Sequence, residues 1–275
     1  MKERVMRWVF ALTACASIAA VILICVFLFA NGVPAMAEIG FFNFVGGQRW
    51  KPSSGLYGIW PMIVGSLYVT AGALIVGVPA GIFTAMYLAR FCNKRLYRFL
   101  KPAINLLAGI PSVVYGFFGL VVLVPLVREW LGGTGMSTLT ASVLLGIMIL
   151  PTIIGVAESA IRAVPEAYYE GALALGATHE RSVFFVVLRA ARSGVLAGIG
   201  RAIGETMAVI MVAGNQPYIP SSILDGVRTM TTNIVLEMGY ATDLHREALI
   251  ATAVVLFVFI LLINALFAVI KRRMK

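Results

Sequence analysis

The sequence predicts an all-α membrane protein with six transmembrane helices and with both termini in the cytoplasm. Three observations predict this fold class: 60% of the residues are hydrophobic, the mean hydropathy is +0.95, and the apolar residues fall in long unbroken runs. Transmembrane β-strands instead alternate apolar and polar residues over segments of about ten. Helices are therefore the spanning structure that this sequence favours, because they satisfy every backbone polar group internally.

Six apolar runs reach the length of about 20 residues that crosses a bilayer as a helix. They cover residues 8–30, 62–89, 102–127, 138–161, 194–214 and 248–270. The first run precedes a small-residue stretch at 35–37, as in a signal peptide, but it exceeds the roughly 7–15 apolar residues of such peptides. We therefore expect an N-terminal anchor span with an outer loop over 1–61, followed by a membrane core over 62–275.

The Lys and Arg residues indicate the orientation of these spans. Most of the 22 lie at the N-terminus, after the second run, after the fourth run and at the C-terminus. Since basic residues collect in cytoplasmic loops, these four regions are expected in the cytoplasm. The same bias accounts for the net charge of +10 without nucleic acid as a partner. The three cysteines and two histidines have no spacing typical of a metal site, so no metal is expected.

The cytoplasmic loop at 162–193 has the signals of two short helices rather than those of a plain connector. Pro165 suits the start of a helix, Gly176 suits its end, and Thr178 is a good N-cap for the next helix. The first helix, at 166–175, is small and apolar on much of its surface. Such a face docks either on the membrane or the chain's own spans, or in a groove of a soluble partner.

The fifth run contains two charged residues, Arg201 and Glu205, four positions apart. That spacing places both on one helix face. A charge at the bilayer centre costs at least about 2.5 kcal/mol, so such residues face a bundle interior or a wet cavity. Two interpretations follow: a structural ion pair between helices, or an anion pathway in which the guanidinium meets the cargo. Further candidates for lining that pathway, each with ordinary helix packing as its alternative, are Asn105, Ser112, Tyr115 and Thr206.

Several stretches resemble a known family. Glu170, Gly171 and Ala172, followed after three residues by Gly176, resemble the EAA loop of ABC-transporter permeases, and Val186 and Leu188 match the tail of that motif. Gly171 replaces the usual middle Ala, and Arg189 replaces the usual Pro. Residues 105–119, 200–215 and 228–234 are similar to the C-type permease subunit of phosphate ABC importers.

The resemblance implies a type I ABC importer permease in the bacterial cytoplasmic (inner) membrane that carries inorganic phosphate. It implies that Glu170, Gly171, Ala172 and Gly176 form a coupling helix on a cytoplasmic ATPase. Implied partners are a second homologous permease, two ATPase subunits that hold ATP and magnesium, and an extracytoplasmic phosphate-binding protein. This chain has no GxxxxGK[ST] sequence, so it is expected to bind no cofactor and to be no enzyme itself. The alternatives are a permease for another oxyanion, such as sulfate or molybdate, and a non-conducting scaffold or sensor subunit.

Overall fold

The computed structural model describes residues 2–202 and 207–273, and within them the side chains of 5–200 and 209–269. In these residues, six helical segments are long and apolar enough to cross a membrane, which confirms the predicted number of spans. They are Val5–Ile39, Trp60–Phe91, Ser112–Leu131, Thr138–Arg162, His179–Gly200 and Asp243–Val269. The second, fourth and sixth agree with the predicted runs to within a few residues, and the first is longer at both ends.

The described chain is built from α-helices and one short hairpin. The α-helices are α1 (Lys2–Ile39), α2 (Phe41–Gly46), α3 (Trp60–Met86), α4 (Lys94–Gly109), α5 (Ser112–Phe118), α6 (Val124–Leu131), α7 (Thr138–Arg162), α8 (Glu166–Ala174), α9 (His179–Ser182), α10 (Leu188–Ala202), α11 (Met230–Glu237) and α12 (Asp243–Arg273). Strands β1 (Trp50–Lys51) and β2 (Leu56–Tyr57) pair antiparallel around a 3₁₀ turn at Pro52–Ser54. Single π-helical turns lie at Tyr87–Phe91, Gly119–Leu123 and Val183–Val187, and a second 3₁₀ turn lies at Met207–Met211.

The chain divides into two compact units, of which one comprises Met1–Trp60 and Asn233–Val258. In this unit α1 lies so close to α12 at Gly32 that an added Cβ would lie 2.7 Å from the Val254 side chain. The hairpin is held by Glu237, whose carboxylate accepts a 2.8 Å hydrogen bond from the Trp50 indole and lies 2.8 Å from His245 Nε2. A buried carboxylate at the end of α11 therefore ties the hairpin to α12 in this unit.

The second unit comprises Pro61–Thr232 and Phe259–Lys275, and its centre is α7. Glycines let α3 approach α7 closely, since a Cβ at Gly77 would lie 2.9 Å from the Gly146 carbonyl, and one at Gly81 would lie 2.7 Å from Ile153. Small residues at such positions are what membrane helices use to pack backbone against backbone. Gly77 and Gly81 therefore serve the packing of α3 on α7.

The predicted third span is wrong in its boundaries. Residues 102–127 are not one helix, because α4 ends at Gly109 and α5 begins at Ser112. Ile110 is extended, with φ −72° and ψ 126°, as expected for a residue that precedes a proline. The spanning segment is Ser112–Leu131, and α4 is a separate amphipathic helix with Asn105 on it.

The predicted fifth span, 194–214, is also wrong in its boundaries. Helical structure runs from His179 through the π turn into α10, so residues 179–193 are not loop. A stripe at every fourth position, Val183, Val187, Ala191 and Val195, is buried in the second unit. Since α10 packs along α7, with Gly194 against Ala160 and Gly198 against Val156, the basic residues at 181–192 lie on a packed helix.

Candidate functional site

Helix α8 is an exposed helix that begins after Pro165 and ends before Gly176. At its end, Gly176 adopts a φ of 86°, in the left-handed region that favours glycine. The Ala177 amide donates to the Ala172 carbonyl at 3.1 Å, and the Gly176 amide donates to the Leu173 carbonyl at 2.9 Å. These two bonds make a Schellman motif. The Thr178 hydroxyl then accepts from the Arg181 amide, so the predicted stop and cap are both confirmed.

The outer surface of α8 is open. Glu170, Gly171 and Gly176 are exposed, and a Cβ added at either glycine would meet no atom within 4 Å. Apolar side chains share this exposure, with 92% of Leu175 accessible and large fractions of Tyr168 and Leu173. Ala172 is half-buried on the inner side. The helix thus presents small and apolar residues outward, as a segment that docks in a groove does.

Two contacts hold α8 on the rest of the second unit. In its first turn, the Glu166 carboxylate accepts two hydrogen bonds from Arg90 Nη1, at 2.8 and 3.0 Å. In its middle, the Tyr169 hydroxyl lies 2.7 Å from His179 Nδ1. The Phe91 ring also packs edge-on against His179, with the ring centroids 4.6 Å apart. Helix α8 is therefore anchored to the end of the second span and to α9.

A buried carboxylate organises the neighbouring end of α7. Glu158, 2% exposed, accepts hydrogen bonds from Tyr97 at 2.8 Å, Lys101 at 2.7 Å and Arg162 Nε at 2.8 Å. Arg162 also donates to the Leu88 carbonyl at 2.7 Å. The hydrogen bond to Glu158 and the desolvation of the phenol raise the pKa of Tyr97, so that the phenol stays protonated and donates. We call Tyr97, Lys101, Glu158 and Arg162 the Glu158 cluster.

Local spacing indicates only part of the Glu158 cluster. Glu158 and Arg162 are four residues apart on one helix, a spacing that favours their ion pair. Tyr97 and Lys101 were missed, because they come from α4, more than fifty positions earlier in the chain. Their own spacing of four residues was the available signal, since it places a phenol and an ammonium on one face of an amphipathic helix.

The predicted charged pair of the fifth span lies at the edge of the described structure. The backbone of Arg201 is the penultimate residue of α10, whereas Glu205 and Thr206 lie outside the described residues, as does the Arg201 side chain. Gly198 packs against Val156 and lies close to the Ile153 carbonyl. The antiparallel register therefore brings the backbone of residue 201 to about the level of Ile153, near the middle of α7.

Two of the other predicted pathway residues lie at one cavity. This cavity of about 230 Å³ lies at the break between α4 and α5, and it is lined by Leu107, Ala108, Ile110, Ser112, Tyr115, Met148, Pro151 and Thr152. Tyr115 is buried and donates a 2.8 Å hydrogen bond to the Leu107 carbonyl. Asn105 does not line the cavity and is exposed on α4. The structure thus brings Ser112 and Tyr115 together and leaves Asn105 apart.

Comparison with known proteins identifies this arrangement. The probable ABC transporter permease protein YqgH of Bacillus subtilis (strain 168) is 39% identical over 271 residues, which cover 92% of this chain and 88% of the relative. The phosphate transport system permease protein PstC of Mesorhizobium japonicum is 34% identical over 264 residues, which cover 87% of this chain and 80% of that protein.

Solved structures agree on the fold. An inward-facing structure of the MetNI methionine ABC transporter contains a chain that superposes with a TM-score of 0.61 and 22% identity, over 82% of this chain and 100% of that one. At this identity the likeness shows the fold alone. The profile of one family, described as the binding-protein-dependent transport system inner membrane component, matches residues 77–275. The chain therefore belongs to the family of binding-protein-dependent transport system inner membrane components.

Proposed function

We propose that this chain is the permease subunit of an ATP-driven importer that moves inorganic phosphate across the cytoplasmic membrane. The observation that carries the proposal is the 34% identity to a phosphate transport system permease over most of both chains. The residues at 198–215, which contain the intramembrane charges Arg201 and Glu205, support an anionic cargo. The alternative role of the two residues is a structural ion pair between helices, which needs no anionic cargo.

Helix α8 is the proposed contact with the ATPase subunit. The positive-inside rule assigns the end of the bundle with α8, and both termini, to the cytoplasm of a bacterial inner membrane. Glu170, Gly171, Ala172 and Gly176 would then face a cleft on an ATPase subunit, which binds ATP and magnesium. The complete importer has a second homologous permease, two ATPases and an extracytoplasmic phosphate-binding protein. In this division of labour, residues 1–61 form the anchor span with an outer loop and residues 62–275 form the permease core.

Phosphate is proposed to pass near the middle of α7. Arg201, Glu205 and Thr206 follow Gly198, which packs on α7, and the cavity with Ser112 and Tyr115 lies beside Met148, Pro151 and Thr152 of the same helix. Guanidinium presents a planar fork of donors to phosphate oxygens. The nearby carboxylate would weaken that binding, because conduction needs a site that the anion can leave.

The substrate is tested by uptake into vesicles from phosphate-starved cells that contain the full set of subunits. We expect ATP-dependent uptake of radiolabelled phosphate that excess sulfate or molybdate leaves unchanged. Vesicles without this chain are the control. Uptake of sulfate in place of phosphate would reassign the substrate, and absence of any uptake with intact phosphate signalling would point to a scaffold or sensor.

The contact with the ATPase subunit is tested by one bulky substitution with a matched control. Gly171→Trp places an indole on the open face of α8, where a side chain meets no atom of this chain within 4 Å. Gly239→Trp makes the same change at a second exposed glycine with equally free surroundings, in the loop between α11 and α12. We expect the ATPase to be lost from the purified Gly171→Trp complex, by about tenfold or more, and retained by Gly239→Trp. Retention by both variants would refute the assignment of α8.

A further inference from the structure

A basic cavity is lined in part by three residues of the Glu158 cluster, Tyr97, Lys101 and Arg162. It has a volume of about 600 Å³ and is formed by the π turn after α3, the first half of α4 and the end of α7. Its lining contains five cationic side chains and no carboxylate: Arg90, Lys94, Arg98, Lys101 and Arg162. A cavity with this lining favours an anion.

Three of the five cations already have carboxylate partners. Arg90 pairs with Glu166, while Lys101 and Arg162 share Glu158. Within the described part of the chain, no carboxylate lies within 4.0 Å of Lys94 or Arg98. In addition, Arg90 Nε is buried without a hydrogen-bond partner. The five cations of the lining therefore exceed the two nearby carboxylates, so the cavity has excess positive charge.

The two faces of helix α4 indicate that this charge lies at a membrane surface. Lys94, Arg98 and Lys101 follow each other at intervals of four and three residues, so they lie on one face. The opposite face is apolar and exposed, with 75% of Phe99 accessible and Leu106 similarly open. A helix with a basic face and an apolar face lies in the plane of the membrane interface. The mouth of the cavity is then at the depth of lipid headgroups.

We propose that this cavity binds a phosphate group, and that the phosphate belongs to an acidic membrane lipid such as phosphatidylglycerol. Arg98 and Lys94 contact the phosphate oxygens, since guanidinium and ammonium groups make charge-assisted hydrogen bonds to phosphate. The acyl chains lie along the exposed apolar face of α4. Basic pockets of this kind on the cytoplasmic side of helix bundles are recognised headgroup sites. The inference is independent of the transported solute, because it needs only α4 at the interface.

The test is native mass spectrometry of the detergent-solubilised full chain, titrated with phosphatidylglycerol and, separately, with zwitterionic phosphatidylcholine. We expect preferential binding of phosphatidylglycerol by the wild type. Arg98→Gln is expected to weaken it about tenfold, and Lys94→Gln with Arg98→Gln about a hundredfold, because each substitution removes a hydrogen bond to a charged group. Arg95→Gln is the matched control, because Arg95 is on the same helix and does not line the cavity. It is expected to change binding by less than about twofold.

Three results would overturn the proposal. Equal losses in Arg95→Gln and Arg98→Gln would show attraction to general surface charge instead of a site. Equal binding of the two lipids by the wild type would remove the preference for an acidic headgroup. Displacement of phosphatidylglycerol by an equal concentration of inorganic phosphate would assign the cavity to free phosphate. Circular dichroism and size-exclusion elution identical to those of the wild type keep each variant interpretable.

Discussion

Glu158→Gln is expected to lower the free energy of unfolding by about 2 kcal/mol. The change removes the only charge that neutralises Lys101 and Arg162 in the Glu158 cluster, as the structure describes it. Breaking a fully buried pair costs about 3–5 kcal/mol, and the cost is smaller here because 26% of Lys101 and 45% of Arg162 are exposed to solvent. Unfolding by denaturant in detergent micelles, monitored by circular dichroism, measures the effect.

Glu129→Gln is the matched control for this experiment. Glu129 is exposed on α6, so the same loss of charge should change stability by less than about 0.5 kcal/mol. Hydrogen exchange adds a local measurement: amides of α4 should exchange faster in Glu158→Gln, because Tyr97 and Lys101 lose a charged acceptor. Equal stabilities of Glu158→Gln and Glu129→Gln would mean that the cluster does not stabilise the fold.

Arg201→Gln is expected to reduce phosphate uptake by at least about tenfold while the subunits still assemble. A hydrogen bond to a charged group contributes about 1.5–3 kcal/mol, which corresponds to about 10-fold to 150-fold in binding or rate.

Glu205→Gln keeps the shape of the side chain and removes its charge. We expect it to reduce uptake as well, because the anion is then held too tightly to leave or has no acceptor for the proton of hydrogen phosphate.

Arg189→Gln is the control for the pathway variants, since it removes a guanidinium from the exposed first turn of the same helix, α10. It should leave uptake within about twofold of the wild type. Co-purification of the partner subunits checks assembly in every variant. Wild-type uptake by both Arg201→Gln and Glu205→Gln would remove these residues from the pathway and leave a structural ion pair as their role.

The number of spans could be predicted from the sequence, because bilayer thickness sets a length that apolar runs either reach or do not. The start of the third span was predicted wrongly because only hydropathy was considered across Pro111. A proline disfavours helical conformation in the residue before it, and that signal was available. The start of the fifth span was predicted too late in the chain, because the basic residues at 181–192 were assigned to a loop. The buried stripe from Val183 to Val195 was the better signal, since it indicates a helix with one packed side.

The local features of the candidate site could be predicted because they depend on neighbouring residues. Its long-range contacts could not be predicted, because they depend on how whole helices pack. The end of α8 at Gly176 and the cap at Thr178 depend on residues within a few positions, and both were predicted correctly. The ties from Arg90 to Glu166 and from Lys101 to Glu158 join residues 76 and 57 positions apart. Such contacts follow from the packing of whole helices, which no local pattern encodes.

Arg90 and Arg162 together link α8 to the ends of the second and fourth spans, and this linkage has a mechanical consequence. Arg162 binds both Glu158 and the Leu88 carbonyl, and Arg90, two residues beyond Leu88, binds the first turn of α8. A torque on α8 therefore reaches the ends of α3 and α7 by parallel routes, besides the covalent link at 163–165. Several contacts that transmit the same force deform less than a single contact would. In the proposed importer, more of the movement of the ATPase would therefore reach the spans.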